Sequence, residues 1–344
     1  MTRSSFTVSA VCCPVTVLFL LTSQRSGEKK LHSCHKLSRL GMPLLMTHTP
    51  SPFGQSPQWA AGMTPPLAAA AGAQAWLVSM TAASKQEAAQ PLSEHYSEWL
   101  NACTLAKWMD RLISKGHTLQ FTSVPPRFNG IVETTLSSKD QQLSLLAELQ
   151  QLLAKKVIST VPKGEEMQGF YSRYFLVPKK TGGLRPILDL ALFNKCIAER
   201  PFHMLTIRRV LQCVKPGDWF TSIDLKDAYF HVTVIPKHRK FLRFSFQGSH
   251  YQYNRLPFGY SLAPQTFSKC VETALRPLHA TGMRVLFYLD DLLLMARSKE
   301  EAAIQTKKLV IHLSNLGFAI NWKKSSPLPS QSVMYLGVEL DIQL

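Results

Sequence analysis

Acidic side chains are scarce in this sequence. Its 344 residues carry 22 Asp and Glu against 39 Lys and Arg, a formal charge of +17. That imbalance says little about fold, but it favours a polyanionic partner, above all nucleic acid. A disulfide framework is also missing. The seven cysteines (Cys12, Cys13, Cys34, Cys103, Cys196, Cys213 and Cys270) are odd in number and irregular in spacing, which points to a reducing compartment. Cys12, Cys13, His32, Cys34 and His35 lack the well-spaced second pair that a zinc site needs. Long apolar runs are few. Residues 7–21 follow Arg3 and resemble a signal-peptide core, but the run is short and Pro14 interrupts it. The expectation is a cytoplasmic or nuclear protein with no membrane association, whose apolar N-terminus is not a true signal peptide. No internal repeat is visible.

What remains is ample for a fold. An apolar fraction of 45% over this length supports one large or two ordinary domains. Residues 1–90 are rich in Ser, Thr, Pro and Ala, with Pro50, Pro52, Pro57, Pro65 and Pro66 and an alanine run at 68–71. This stretch reads as low-complexity and disordered. Residues 91–157 read as a helical extension. Trp99, Leu105, Trp108, Met109 and Leu112 predict one amphipathic helix, and Pro125-Pro126 a loop. Ser137 with Asp140 resembles a capping box before an apolar stripe at Leu143, Leu146, Leu149 and Leu153, ending near Lys155-Lys156.

Residues 158–344 mix short strands and helices. Strands are predicted at 174–177 and 184–190, joined by the basic, glycine-containing turn Lys179-Lys180-Thr181-Gly182-Gly183. A buried strand at 219–225 carries Asp224 near its end. The segment 241–247 alternates, with Leu242, Phe244 and Phe246 on one side and Arg243, Ser245 and Gln247 on the other. Pro264 opens a helix carrying Phe267, Val271 and Leu275, which Pro277 is expected to stop. Ser298 and Glu301 begin another, with Leu309, Leu313 and Leu316, closed by Gly317. The order suits an α+β fold, a sheet with helices on one face.

Between apolar runs at 283–287 and 292–295 lies Tyr288-Leu289-Asp290-Asp291, a tight hairpin with two adjacent carboxylates at its tip. Such hard oxygens suit Mg²⁺. By themselves such residues are usually only turn chemistry, because Asp favours turns. Asp224 stands at another strand end. If the two strands are neighbours, the three carboxylates can bridge two ions, the geometry of an in-line phosphoryl displacement.

At this point the sequence resembles reverse transcriptases. The segment 221–230, Thr-Ser-Ile-Asp-Leu-Lys-Asp-Ala-Tyr-Phe, is similar to their motif A. Residues 256–264 (Leu-Pro-Phe-Gly-Tyr-Ser-Leu-Ala-Pro) resemble motif B, and 288–291 motif C. Residues 316–324, from Leu316-Gly317-Phe318 to Lys323-Lys324, resemble motif D, and 335–340 (Tyr-Leu-Gly-Val-Glu-Leu) motif E, the primer grip. The fingers motif is matched by Val177-Pro178-Lys179-Lys180, Leu184-Arg185-Pro186, Asp189-Leu190 and Asn194-Lys195. All stand in the family's order. Gly169-Phe170-Tyr171-Ser172, the run 185–190 and Asp218-Trp219-Phe220 look most like the tyrosine-recombinase (DIRS-type) retrotransposons, with the Ty3-like branch second.

The resemblance implies right-hand fingers and palm, an antiparallel palm sheet, and RNA-directed DNA synthesis on a template-primer from deoxynucleoside triphosphates. It implies two Mg²⁺ ions, with Mn²⁺ a substitute, held by Asp224, the Leu225 carbonyl, Asp290 and Asp291. Tyr229 would lie under the incoming sugar and exclude a 2′-hydroxyl. Arg185 with Lys179 or Lys180 would hold the triphosphate, Asp227, Ala228, Phe258 and Gly259 would line the nucleotide site, and Lys323 or Lys324 would protonate pyrophosphate. Tyr335, Leu336 and Gly337 would meet the primer. Separately, Lys237, Arg239, Lys240 and Arg243 interleave with Phe241 and Phe244, a pattern suited to a template strand. The family's thumb, connection and RNase H have no counterpart in the sequence. The expectation is a truncated retrotransposon polymerase. The alternative is a non-catalytic remnant that at most binds nucleic acid, and an RNA-directed RNA polymerase palm is remoter. Oligomeric state stays open.

Overall fold

A computed structural model describes residues 88–179 and 182–342, together with Val78 and Thr81. The readings for residues 7–21, for Cys12, Cys13, His32, Cys34 and His35, for most of the stretch 1–90, and for Lys180 lie outside the described residues.

A 3₁₀ turn at Leu92–His95 leads into α1 (Tyr96–Ala102), and α2 (Lys107–Lys115) follows. The single helix expected here is two, because Cys103 and Ala106 are both extended. On one straight helix Trp99 and Leu112 would lie about 140° apart. The break lets both reach the core, while Trp108 stays half-exposed under the Lys269 ammonium. The next helix, α3 (Lys139–Ala154), is capped by Ser138 with Gln141, one residue later than the sequence pattern suggested. Its buried stripe is Leu145, Leu149 and Leu152, whereas Leu143 and Leu153 are exposed. Six leucines offer two overlapping stripes, and the strands beneath select one.

The first strands are β1 (Ile158–Thr160), β2 (Tyr171–Ser172), β3 (Tyr174–Pro178) and β4 (Leu184–Leu188). Then come α4 (Ile207–Cys213), β5 (Trp219–Asp224), β6 (Arg243–Phe246) and β7 (Ser249–Tyr253). Next are α5 (Ala263–Ala280), β8 (Arg284–Tyr288), β9 (Asp291–Ala296) and α6 (Lys299–Asn315). The chain closes with β10 (Ser326–Ser330), β11 (Ser332–Tyr335) and β12 (Val338–Asp341). Strands β3 and β4 form the expected hairpin. A four-stranded sheet runs β1-β7-β6-β2, with only the β2–β6 pair parallel. Helix α5 does not stop at Pro277 but continues to Ala280. A proline so near the end removes only the bond to the Thr273 carbonyl, and beyond it the Thr281 hydroxyl donates to the Leu278 carbonyl in the last turn.

The second four-stranded sheet, β10-β5-β9-β8, is wholly antiparallel. Its central strands, β5 and β9, are buried on both faces, and their side chains alternate between two cores. Leu292, Leu294, Ile223 and Val285 join the large core beneath α5 and α6. Leu293, Met295 and Phe220 join a smaller core with Val210 of α4 and Val333, Tyr335 and Leu340 of the β11–β12 hairpin. The two long helices therefore share one face, as expected, but the other face is covered too. Arg284, the one charge in its apolar run, forms a two-pronged pair with the buried Asp218 and ties β8 to the start of β5. Among the described residues no helix is long and apolar enough to cross a membrane.

Candidate active site

The register of β5 on β9 puts Asp224 directly opposite Asp291. Both lie on the strand face shared with Phe220, Leu293 and Met295, beyond the end of the smaller core. Leu289 and Asp290 form the two-residue connection between β8 and β9, with Leu289 in the left-handed region at φ 56. The Asp290 carbonyl accepts the Leu225 amide at 2.8 Å, so the turn is fastened to the exit of β5. All three expected carboxylates thus meet at one edge of the sheet.

Each carboxylate has a defined electrostatic setting. Burial pushes the Asp291 carboxyl up to about 7, helped by the charges of Asp290 and Asp224 and opposed by Lys324. Burial also raises Asp290, with Asp224 adding to the effect. Lys324 brings Nζ to 3.7 Å from Asp224 Oδ2 while remaining mostly exposed. Repulsion among the carboxylates is relieved by one nearby cation charge. Among the described residues no three His, Cys, Asp or Glu side chains form a ready metal cage. The three carboxylates offer only hard oxygen donors, the kind Mg²⁺ accepts alongside water and phosphate oxygens.

Beside the carboxylates, the chain after β5 turns at Asp227 (φ 55) into a 3₁₀ turn, Ala228–His231. The Asp227 side chain is held by Lys155 Nζ at 2.7 Å. Tyr229 is buried, and its ring lies 4.8 Å from that of Phe258. Burial raises its hydroxyl well above the usual tyrosine range, with Asp290 contributing. Phe258 is half-exposed. Asn194, to which sequence reasoning gave no role, clamps this loop: its side chain donates to the Gly259 carbonyl (2.8 Å) and accepts the Ser261 amide (3.0 Å). It falls in the fingers motif, but its partners lie more than sixty residues away, so no local pattern shows this clamp.

Arg185 is exposed on β4, opposite Val177. Lys179 stands at the start of the fingers turn, where its amide donates to the Gly183 carbonyl. The basic-aromatic strip departs from expectation. Arg243 is fully buried, and its guanidinium is spent on the Glu165 and Gln168 carbonyls, the Glu165 carboxylate and Gln252. Phe241 and Phe244 are core residues as well. Arg243 is therefore a structural cation rather than a template contact, because its strand is buried on both faces. Lys237 is exposed, and Arg239 and Lys240 are half-buried. Tyr335 is likewise buried: its hydroxyl donates to the Asp291 carbonyl at 3.1 Å, which holds β9 rather than a primer. Leu336 and Gly337, at the tip of that hairpin, are partly exposed.

Comparison with known proteins agrees with this arrangement. Residues 177–340 match the family described as "Reverse transcriptase (RNA-dependent DNA polymerase)". The chain is 30% identical over 174 residues to the Gag-Pol polyprotein of Gibbon ape leukemia virus, covering 47% of this chain and 10% of that one. It is 30% identical over 164 residues to the Transposon Tf2-3 polyprotein of Schizosaccharomyces pombe, covering 48% and 12%. The chain thus spans about a tenth of the length of the curated relatives it matches. Among solved structures it resembles the foamy viral protease-reverse transcriptase in complex with double-stranded DNA. That likeness has a TM-score of 0.54 at 17% identity and covers 75% of this chain and 47% of that one. The native Prototype Foamy Virus enzyme gives a TM-score of 0.53 at 19% identity over 75% and 36%.

Proposed function

We propose, from the match of residues 177–340 to the reverse transcriptase family, that this chain carries the fingers and palm of a retroelement RNA-directed DNA polymerase. The observation that carries the reading is the register of Asp224 on Asp291 with Asp290 in the adjoining turn. The foamy viral enzymes it resembles were solved in complex with double-stranded DNA and with an RNA/DNA hybrid. A template-primer is the partner proposed here, with deoxynucleoside triphosphates as substrates. The motif content favours the tyrosine-recombinase retrotransposon branch, then the Ty3-like one. Action in the cytoplasm or nucleus follows from the same reading.

In this mechanism Asp224, Asp290, Asp291 and the Leu225 carbonyl would hold two Mg²⁺ ions, or Mn²⁺ in their place. Those ions supply charge stabilisation for the attacking and leaving oxygens. The protein's own contribution is placement. The paired strands fix the carboxylates, so little reorganisation accompanies the reaction. Arg185 and a fingers lysine receive the triphosphate, Arg through its planar fork. Tyr229, wedged against Phe258, stands where a 2′-hydroxyl would need room. Lys324, beside Asp224, can deliver a proton to departing pyrophosphate, and Lys323 is its neighbour in sequence. Lys237, Arg239 and Lys240 supply phosphate contacts to the template.

The test is primer extension on an RNA template with Mg²⁺, comparing the wild-type chain with Asp290→Asn. Extension by the wild type alone is expected. A wild type that binds template-primer but never extends it would leave the non-catalytic remnant as the better reading.

A further inference from the structure

Residues 88–122 precede the matched family segment, yet they grip the palm at several backbone positions. The buried Arg255 guanidinium donates to the Ala89 carbonyl (2.7 Å) and to the Phe230 carbonyl (3.1 Å). His117 Nε2 lies 3.3 Å from the Tyr260 hydroxyl, with the rings edge to face. The deepest contact is Trp99, which is wholly buried. Its indole N–H donates to the Leu316 carbonyl at 2.9 Å, across 217 residues of sequence.

Leu316 ends α6, where the last carbonyls have no partner within the helix. Trp99 satisfies one of them, and His95 Nδ1 donates to the next, Asn315, at 2.9 Å. Gly317 follows at φ 95, and a Cβ there would lie 2.7 Å from the His95 ring. Only glycine leaves space for that ring at this turn. Two to four residues beyond Gly317, the same strip is fastened to the segment that carries Asp224. The Ala319 carbonyl accepts the Lys226 amide (2.8 Å), Ile320 bridges Leu225, and the Asn321 amide donates to the Asp224 carbonyl (2.8 Å). The Asp224 amide in turn donates to Ser325 Oγ at 3.0 Å.

His231 braces the same strip from inside. Its Nε2 accepts the Ala319 amide (3.0 Å) and its Nδ1–H donates to the Ala228 carbonyl (2.9 Å), which fixes a neutral tautomer. The Phe318 ring lies between Trp99 and His231.

We propose that Trp99 is a positioning residue for the catalytic carboxylates, acting through the end of α6 and the strip 317–321. Residues 88–122 are then part of the polymerase unit and not an appendage. The inference rests on Asp224 being catalytic, but its test does not. In the full-length chain, Trp99→Phe keeps most of the ring and deletes the N–H. Hydrogen exchange at the Lys226, Ala319 and Asn321 amides should quicken about tenfold, with the β3–β4 hairpin amides unchanged. His95→Ala should act at the same amides to a smaller degree. If the wild type polymerises, Trp99→Phe should lower kcat about fivefold while KM for template-primer holds. Unchanged protection at those three amides, or an equal loss across the whole molecule, would overturn the proposal. A wild type that fails to extend primers sinks the polymerase reading alone, because the exchange measurement still decides the role of Trp99.

Discussion

Two antiparallel hairpins carry the proposed chemistry, and they are built oppositely. The β8–β9 hairpin lies in a four-stranded sheet between two cores, with Leu292, Leu293 and Leu294 all buried. The β3–β4 hairpin is a two-stranded sheet of its own: Tyr174 and Leu188 are buried at its base, while Phe175 and Arg185 are exposed. A two-stranded ribbon is marginal without further support. The difference teaches where rigidity is needed. The carboxylates proposed to hold the metal ions sit at the end of strands whose register cannot slip without turning leucines out of a core. The cations proposed to receive a triphosphate sit on a ribbon without that constraint.

Four experiments would break or sharpen that contrast, the largest expected effect first. Asp224→Asn should reduce primer extension by about 10³-fold or more while the protein stays folded, as judged by single-turnover assays and circular dichroism. Retained activity would remove the claim that the β10-β5-β9-β8 sheet holds catalytic carboxylates. Leu293→Ala should destabilise by about 3 kcal/mol in urea unfolding, whereas Phe175→Ala should cost about 0.5 kcal/mol. Equal losses would show that the hairpins are not built differently. Arg185→Ala should raise KM for deoxynucleotides about tenfold with kcat nearly unchanged, the sign of binding given up without loss of positioning.

The smallest effect is a pH dependence. A free aspartate ionises near pH 3.8, and Asp291 in the fold near 7. Between those values the folded state holds the extra proton, so this group's contribution to stability falls as pH rises. In EDTA, Asp291→Asn should therefore gain in Tm over wild type as pH increases from 4 to 7, and Mg²⁺ should narrow the gap. A difference independent of pH would mean that the carboxylate cluster is not under electrostatic load.

Much of this was legible in the chain because it is local. The tip at 288–291, the strand ending at Asp224, the fingers ribbon and the Ser298 cap each rest on alternation or capping within a few residues. The misreadings share one cause. Arg243 alternates like a surface residue, but a second layer covers that side and its charge is absorbed by Glu165 and backbone carbonyls. The leucines of α3 admit two stripes until a sheet chooses one. The break between α1 and α2 follows from where the palm needs Trp99. Tyr335 and Asn194 act through partners far away in sequence.

The sequence by itself therefore determined which residues carry charge, where strands begin and turn, and which carboxylates belong to one family of sites. Those properties depend on side-chain chemistry and on the two- and 3.6-residue periods of the backbone. Only the tertiary structure decided which faces are covered, which cations are consumed in the interior, and that a tryptophan before the matched segment caps the helix behind Asp224. Burial and hydrogen-bond satisfaction are set by neighbours brought together from distant parts of the chain, and no local period encodes them.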